Sequence, residues 1–171
     1  LERRLADGLW LHASLTQAAE RCLGIDIDTN AVDQVKAVTG FDNVIAADVT
    51  RPGIGEIMSS HWDIALFGDV LEHVQAPVAF LSAFRENYGA FVKRVIVSVP
   101  NCMRGGNATS ALRSRETINS DHCFEFSPFT LAKVITLSGY HVEKFYYSTF
   151  GAARFPRSVL YKRKPYLAHT L

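Results

Sequence analysis

His61-Trp62-Asp63-Ile64-Ala65-Leu66-Phe67-Gly68-Asp69-Val70-Leu71-Glu72-His73-Val74 is the stretch whose reading decides the fold. Its apolar run, 64–67, is unbroken, which suits a strand buried on both faces of a parallel sheet. Gly68 ends the run, and residues 69–74 then read as a helix start. Charged groups that arrive abruptly after such a strand lie at its carboxyl end, the edge that holds the ligand crevice in open α/β sheets. Asp69 is a good N-cap, and Glu72 three residues on completes an Asp version of the capping box. Helical spacing also puts Asp69 and His73 on one face. The two roles are compatible, because a cap at a strand-to-helix turn also lines the crevice.

Strands and helices alternate outward from this stretch. Residues 9–21 read as a helix carrying Trp10, Leu11, Leu15, Ala18 and Ala19 at helical spacing. Residues 22–28 form a strand that ends in acids, and 29–38 a helix with Ala31, Val32, Val35 and Val38 inward and Gly40 as its stop. A short strand, 44–47, meets Asp48, and 54–59 form one or two helical turns. Pro77 opens a helix with Val78, Phe80, Leu81, Phe84 and Tyr88 on it, up to Gly89, and 92–99 is a β-rich run. Residues 102–126 are polar and aperiodic and read as one long loop, a candidate lid. Ser127 and Pro128 open a last helix with Leu131, Val134, Ile135 and Leu137, stopped by Gly139. Residues 140–150 alternate enough for a final strand.

The 171 residues suit one domain with a real core. Apolar residues at 48% and charged residues at 20% make an ordinary globular composition. No apolar run reaches membrane-spanning length, and residues 1–10 carry no signal-peptide hydrophobic region. Cys22, Cys102 and Cys123 are odd in number and scattered, with neither metal spacing nor a disulfide framework, so a cytoplasmic home is expected and no metal ligand is assigned. Net charge is +1, but 151–171 carry five basic residues and no acid. Such a tail can meet phosphate or nucleic acid; a solvated terminal segment is the plainer account, and no nucleic-acid recognition motif accompanies it.

Three successive strands end in acids, at Asp26, Asp48 and Asp69. A carboxylate at a strand tip accepts hydrogen bonds from ribose hydroxyls or from an exocyclic amine. One such acid means little, since acids also cap helices; three in register suggest a nucleoside-like ligand.

At these residues the chain resembles the class I S-adenosylmethionine-dependent methyltransferases. Residues 23–28, Leu-Gly-Ile-Asp-Ile-Asp, are similar to the family's second strand, whose acid binds the ribose. Residues 45–49 resemble the segment whose acid contacts the adenine amine. Residues 62–74 resemble the fourth strand and its turn, including the frequent Leu-Glu-His-Val ending, and 95–101 the fifth strand. Residues 122–150 look like the family's late helix and hairpin strand. The resemblance implies an α/β fold, a Rossmann-like, mostly parallel, doubly wound sheet flanked by helices. It departs in one respect: the first strand and its glycine-rich loop are absent, and the last strand is missing too, so a domain truncated at both ends is expected.

The resemblance further implies methyl transfer from S-adenosylmethionine, leaving S-adenosylhomocysteine, to a small-molecule acceptor. Cofactor contacts would fall to Asp26, Ile27, Asp48, Val49, Gly68 and Asp69. An acceptor hydroxyl or amine must lose a proton, and His73 and His122 are the catalytic candidates, because histidine carries protons near neutral pH. His73 as a packed supporting residue is the competing account, and His12, His61, His141 and His169 are left structural or superficial. Two other readings remain open: a non-catalytic binding or interaction module on the same fold, and a nicotinamide-dependent oxidoreductase, since a dinucleotide fold also wants an acid at Asp26.

Overall fold

The computed structural model describes residues 10–103, 105–116 and 118–147. The chain divides into two compact units, Leu1–His141 and Val142–Leu171. In the second, residues 142–147 have no regular secondary structure, and Phe145 and Tyr147 pair edge to face with ring centroids 5.0 Å apart. The strand expected over 140–150 is therefore not formed as far as Tyr147. The rest of that strand and the basic segment 151–171 lie outside the described residues.

The first unit is built from two β-helix-β units. Helix α1 (Leu11–Ala18) leads to β1 (Gly24–Asp26), α2 (Thr29–Thr39) and β2 (Val44–Ala46). After the single turn α3 (Gly55–Met58) come β3 (Trp62–Gly68), a 3-10 turn (Leu71–His73), α4 (Pro77–Tyr88) and β4 (Val92–Ser98). Helices α5 (Gly105–Ala111) and α6 (Pro128–Leu137) follow. Strand β1 pairs parallel with β2, and β3 parallel with β4. Among the described residues these are two separate two-stranded sheets rather than one doubly wound sheet.

The helix boundaries follow local chemistry. Asp28, in an extended conformation, accepts the Asn30 and Ala31 amides and so caps α2, which stops at a left-handed Gly40. Ser127 and Thr130 form a reciprocal capping box at the start of α6, with Pro128 at the first helical position. Gly139 follows α6 at φ +81°, and a Cβ there would come within 2.8 Å of Arg85 Nε, so two constraints select glycine.

The core lies on one face of the β3–β4 sheet. The register sets Ala65 beside Val95 and Phe67 beside Val97. Phe67 meets Phe84 edge to face at 5.0 Å and Phe80 at 5.4 Å, while Phe84 also touches Tyr88. Leu71, Leu81, Ile57, Phe126 and Leu131 complete the buried cluster. The opposite face is not covered as the unbroken apolar run implies: Ile64 is 51% exposed, Leu66 37% and Ile96 47%. A Cβ on Gly68 at this face would meet Leu11 of α1 at 3.6 Å. The register explains the split, because alternate residues point to opposite faces and the aromatic helix α4 packs on one of them. Val38, expected inward, is also exposed, as is Leu137 on the last helix.

Helix α1 is seated by His12, which the sequence left without a partner. Its ring lies against β1 so closely that a Cβ on Gly24 would be 2.9 Å from His12 Cε1 and 2.6 Å from Val44 Cγ1. His12 Nε2 is 3.3 Å from Asn43 Oδ1, and Asn43 Nδ2 donates to the Cys22 carbonyl at 3.1 Å.

Tyr88, fully buried, ties the core to the loop between β2 and α3. Its hydroxyl donates to the Arg51 carbonyl and accepts the Ile54 amide. Tyr88→Phe leaves both backbone groups without that partner and should cost about 1–3 kcal/mol, the range for buried groups left unsatisfied. Urea unfolding with an unchanged m-value checks this; a loss under about 0.5 kcal/mol would mean the two bonds add nothing net.

Candidate functional site

The turn after β3 differs from the capped helix expected of it. The Asp69 amide donates to the Ser98 carbonyl at 2.9 Å, extending the β3–β4 ladder by one bond. Asp69 then adopts φ +53°, the left-handed region. An N-cap needs an extended backbone, so Asp69 cannot fill that role. The residue at the cap position is Val70, with no side-chain cap, and the helix is only the 3-10 turn Leu71–His73. Asp69 instead accepts a bond from Ser98 Oγ at 3.3 Å and stays exposed. The shared helical face for Asp69 and His73 lapses with the helix.

The reversal sends Leu71 and Glu72 inward, at 0% and 1% exposure. Glu72, read from sequence as half of a capping box, is a buried carboxylate with no hydrogen-bond partner on either oxygen. Burial drives its pKa above the usual carboxylate value, and the nearby Asp69 charge adds to the rise; its own backbone amide, His73 and His122 oppose it. Its carbonyl holds the far end of the long polar segment, accepting the Cys123 and Phe124 amides at 2.7 and 3.2 Å. That segment is not one structureless loop: it contains α5, and a parallel bridge between Asn101 and Phe126 closes its base.

These bonds bring the two sequence-predicted histidines together. The His73 and His122 rings pack edge to face, with centroids 4.9 Å apart. His73 Nδ1 lies 3.0 Å from the Asp121 carbonyl, a contact only a donating N–H can make, which in the neutral ring leaves the lone pair on Nε2. His122 Nδ1, buried, lies 3.5 Å from Glu125 Oε1. One ligating atom each from Glu72, His73 and His122 falls within 4.8 Å of the others. No metal ligand was expected from sequence, and the cluster depends on Glu72, which is adjacent to His73 but separated from His122 by the whole of α4, β4 and α5.

The expected cofactor residues lie at or just past the carboxyl ends of strands. Asp26 closes β1 and is exposed, with Oδ1 accepting the Asp28 amide at 2.9 Å; Ile27 beside it is 71% exposed. Asp48, two residues past β2, is held in a tight turn. The Thr50 hydroxyl donates to it at 2.6 Å and the Thr50 amide at 2.9 Å, with Arg51 Nε 3.3 Å away. These bonds, the Thr50 hydroxyl foremost, hold its carboxyl below 3.8. Val49 packs against the core, and Gly68 ends β3. An open depression of about 450 Å³ lies elsewhere, at the amino ends of the strands around Cys22, Asn43 and Trp62. Its arginine is already engaged, with Arg21 over the Trp62 ring at 4.9 Å.

No protein-family model matches the chain, and no curated protein sequence matches it.

The left-handed turn makes a clear prediction. Asp69→Gly should preserve or slightly raise stability, whereas Asp69→Val should lose about 1–2 kcal/mol, the strain of a left-handed L-residue. Equal unfolding free energies for the two would rule out that backbone. A second concerns Asp48. A lowered carboxyl pKa gives stability that is present above the unfolded value and lost as pH falls through the folded one. Thr50→Val should move the Asp48 midpoint, followed by carboxylate NMR, back up toward 3.8; an unmoved midpoint would assign the shift to other groups.

Proposed function

We propose that this chain has a class I methyltransferase-like fold and carries out methyl transfer from S-adenosylmethionine to a small-molecule acceptor. The observation that carries this is the placing of Asp26, Asp48 and Asp69 at or just past the carboxyl ends of β1, β2 and β3, each of which pairs in parallel with a neighbour; open α/β sheets bind ligands at that edge. The pairing supports it as well. In the doubly wound order 3-2-1-4-5 the first strand sits between the second and the fourth. Here β1 and β2 correspond to the second and third strands and β3 and β4 to the fourth and fifth, and they pair as the two flanks of that order.

In this reading Asp26, exposed and with capacity to accept further bonds, takes the ribose hydroxyls, with Ile27 beside it. Asp48 and Val49 border the adenine, although Asp48 spends most of its acceptor capacity on its own turn. Gly68 and Asp69 face the charged methionine end. The left-handed Asp69 fits this, because strained backbone collects at functional positions. His73 and His122 stand on the acceptor side, either taking the proton that a hydroxyl or amine must lose or acting through a bound cation. Sulfonium charge disappears in the displacement. Holding donor and nucleophile in line can therefore supply much of the rate, on the order of 7–11 kcal/mol.

Calorimetric titration with S-adenosylhomocysteine tests the reading. Binding should weaken by about 1.5–3 kcal/mol in Asp26→Ala, the range for hydrogen bonds to a charged group, with little change in folding. An identical dissociation constant in the variant would remove Asp26 from the site, and no binding by the parent chain would remove the cofactor.

A further inference from the structure

Glu72 poses a physical problem that methyl transfer does not solve. A buried carboxylate without a partner is strongly unfavourable, and such groups in proteins are paired or coordinate metals. Glu72 is 1% exposed, and neither oxygen has a partner. Protonation removes the charge but leaves a buried O–H that still lacks an acceptor. What lies beside it is a pair of imidazoles.

The His73 imidazole is arranged as metal-ligating histidines are. A ligating histidine donates its other ring N–H to a carbonyl or carboxylate, which fixes the tautomer and the ring's aim. His73 Nδ1 does so to the Asp121 carbonyl at 3.0 Å. His122 Nδ1 has the Glu125 carboxylate 3.5 Å away. A neutral His73 ring donating to Asp121 leaves Nε2 as a lone-pair donor, and His122 Nδ1 is buried without a hydrogen-bond partner.

We propose that Glu72, His73 and His122 form a binding site for a divalent transition-metal cation, with the Asp121 carbonyl and Glu125 orienting the two histidines. Two imidazoles and a carboxylate suit zinc, iron(II) or manganese; magnesium and calcium prefer sets made wholly of oxygen. In a four-coordinate site, ligands at about 2.0–2.2 Å from one ion lie about 3.3–3.6 Å apart. The three ligating atoms, within 4.8 Å of one another, therefore draw in by up to about an ångström on binding, a movement open to the exposed His73 ring. Three protein ligands leave a coordination position open, as in catalytic rather than structural sites. An acceptor oxygen or a water could take it, with its pKa lowered by the ion. The site stands independently of the methyl-transfer reading.

The test uses the full, tag-free 171-residue chain, stripped with chelator. Calorimetry with zinc chloride should give one equivalent bound, and cobalt(II) should give visible d–d absorption. His73→Ala removes an exposed ligand without disturbing the core, so it should keep the parent's circular dichroism and lose at least tenfold in zinc affinity. Glu72→Gln keeps the side chain's shape and should lose at least as much. Glu125→Gln, acting through His122, should lose about 10–100-fold. Absence of stoichiometric zinc binding in the parent would overturn the site, and so would one equivalent held equally well by the parent, His73→Ala and Glu72→Gln.

Discussion

The edge-to-face contact between Phe67 on β3 and Phe84 on α4, with ring centroids 5.0 Å apart, is the interaction on which the rest of the first unit hangs. Parallel strands cannot be joined by a tight hairpin, so β3 and β4 meet only through the crossover that contains α4. Phe67–Phe84 decides which face of the sheet that helix covers, and the same helix presents Tyr88 to the loop after β2 and Arg85 to α6. Arg85 Nε donates to the Ser138 carbonyl at 3.1 Å, and the Ser138 hydroxyl donates back to the Val78 carbonyl at 3.2 Å. One aromatic contact thus orders strand, crossover, α6 and the loop between β2 and α3. It also fixes Ile64 and Leu66 on the other face, since alternation allows nothing else.

The Gly68–His73 turn inherits its geometry from that sheet. The Asp69 amide is still committed to the β4 ladder, so the chain can leave the sheet only by a sharp reversal, and Asp69 takes it in the left-handed region. Aspartate is among the few non-glycine residues that visit this region routinely. The reversal drops Leu71 into the aromatic core and Glu72 beside it. The Glu72 carbonyl then anchors residues 123 and 124, which carries His122 to His73. The cluster follows from one backbone conformation and two hydrogen bonds.

Elements whose signals are local were legible in the sequence. Gly40, Pro77, Gly89, Ser127, Pro128 and Gly139 act within one turn of where they stand, and α2, α4 and α6 end almost where those residues imply. Strand β3 was legible from its apolar run, but the run does not encode what covers each face, and one face is open. The turn at Asp69 was misread because Asp and Glu three residues apart make a plausible capping box. Only the ladder bond to Ser98, contributed from far along the chain, selects the other conformation. Of the site, Asp26, His73 and His122 could be named from sequence. Glu72 could not, because its importance lies in burial, and burial here depends on the φ of a residue three positions earlier.

The distribution of cost along this turn bears on why it is built so. A left-handed aspartate costs on the order of 1–3 kcal/mol and an unpartnered buried carboxyl about as much. A domain of this kind has only about 5–15 kcal/mol of net stability. Replacing a buried ionic group by a well-packed apolar one of similar volume is often neutral or stabilising, so a leucine or methionine at position 72 would pack more favourably. Packing therefore does not account for the carboxyl. A ligand does, since a cation that binds the folded state and not the unfolded one returns stability as RT ln(1 + [L]/Kd). The ion proposed above would take one oxygen of Glu72 together with one ring nitrogen each from His73 and His122. Two separate penalties within four residues, both relieved or used at one point, are what a site purchased at the expense of stability looks like, whereas a turn selected for stability alone would carry neither.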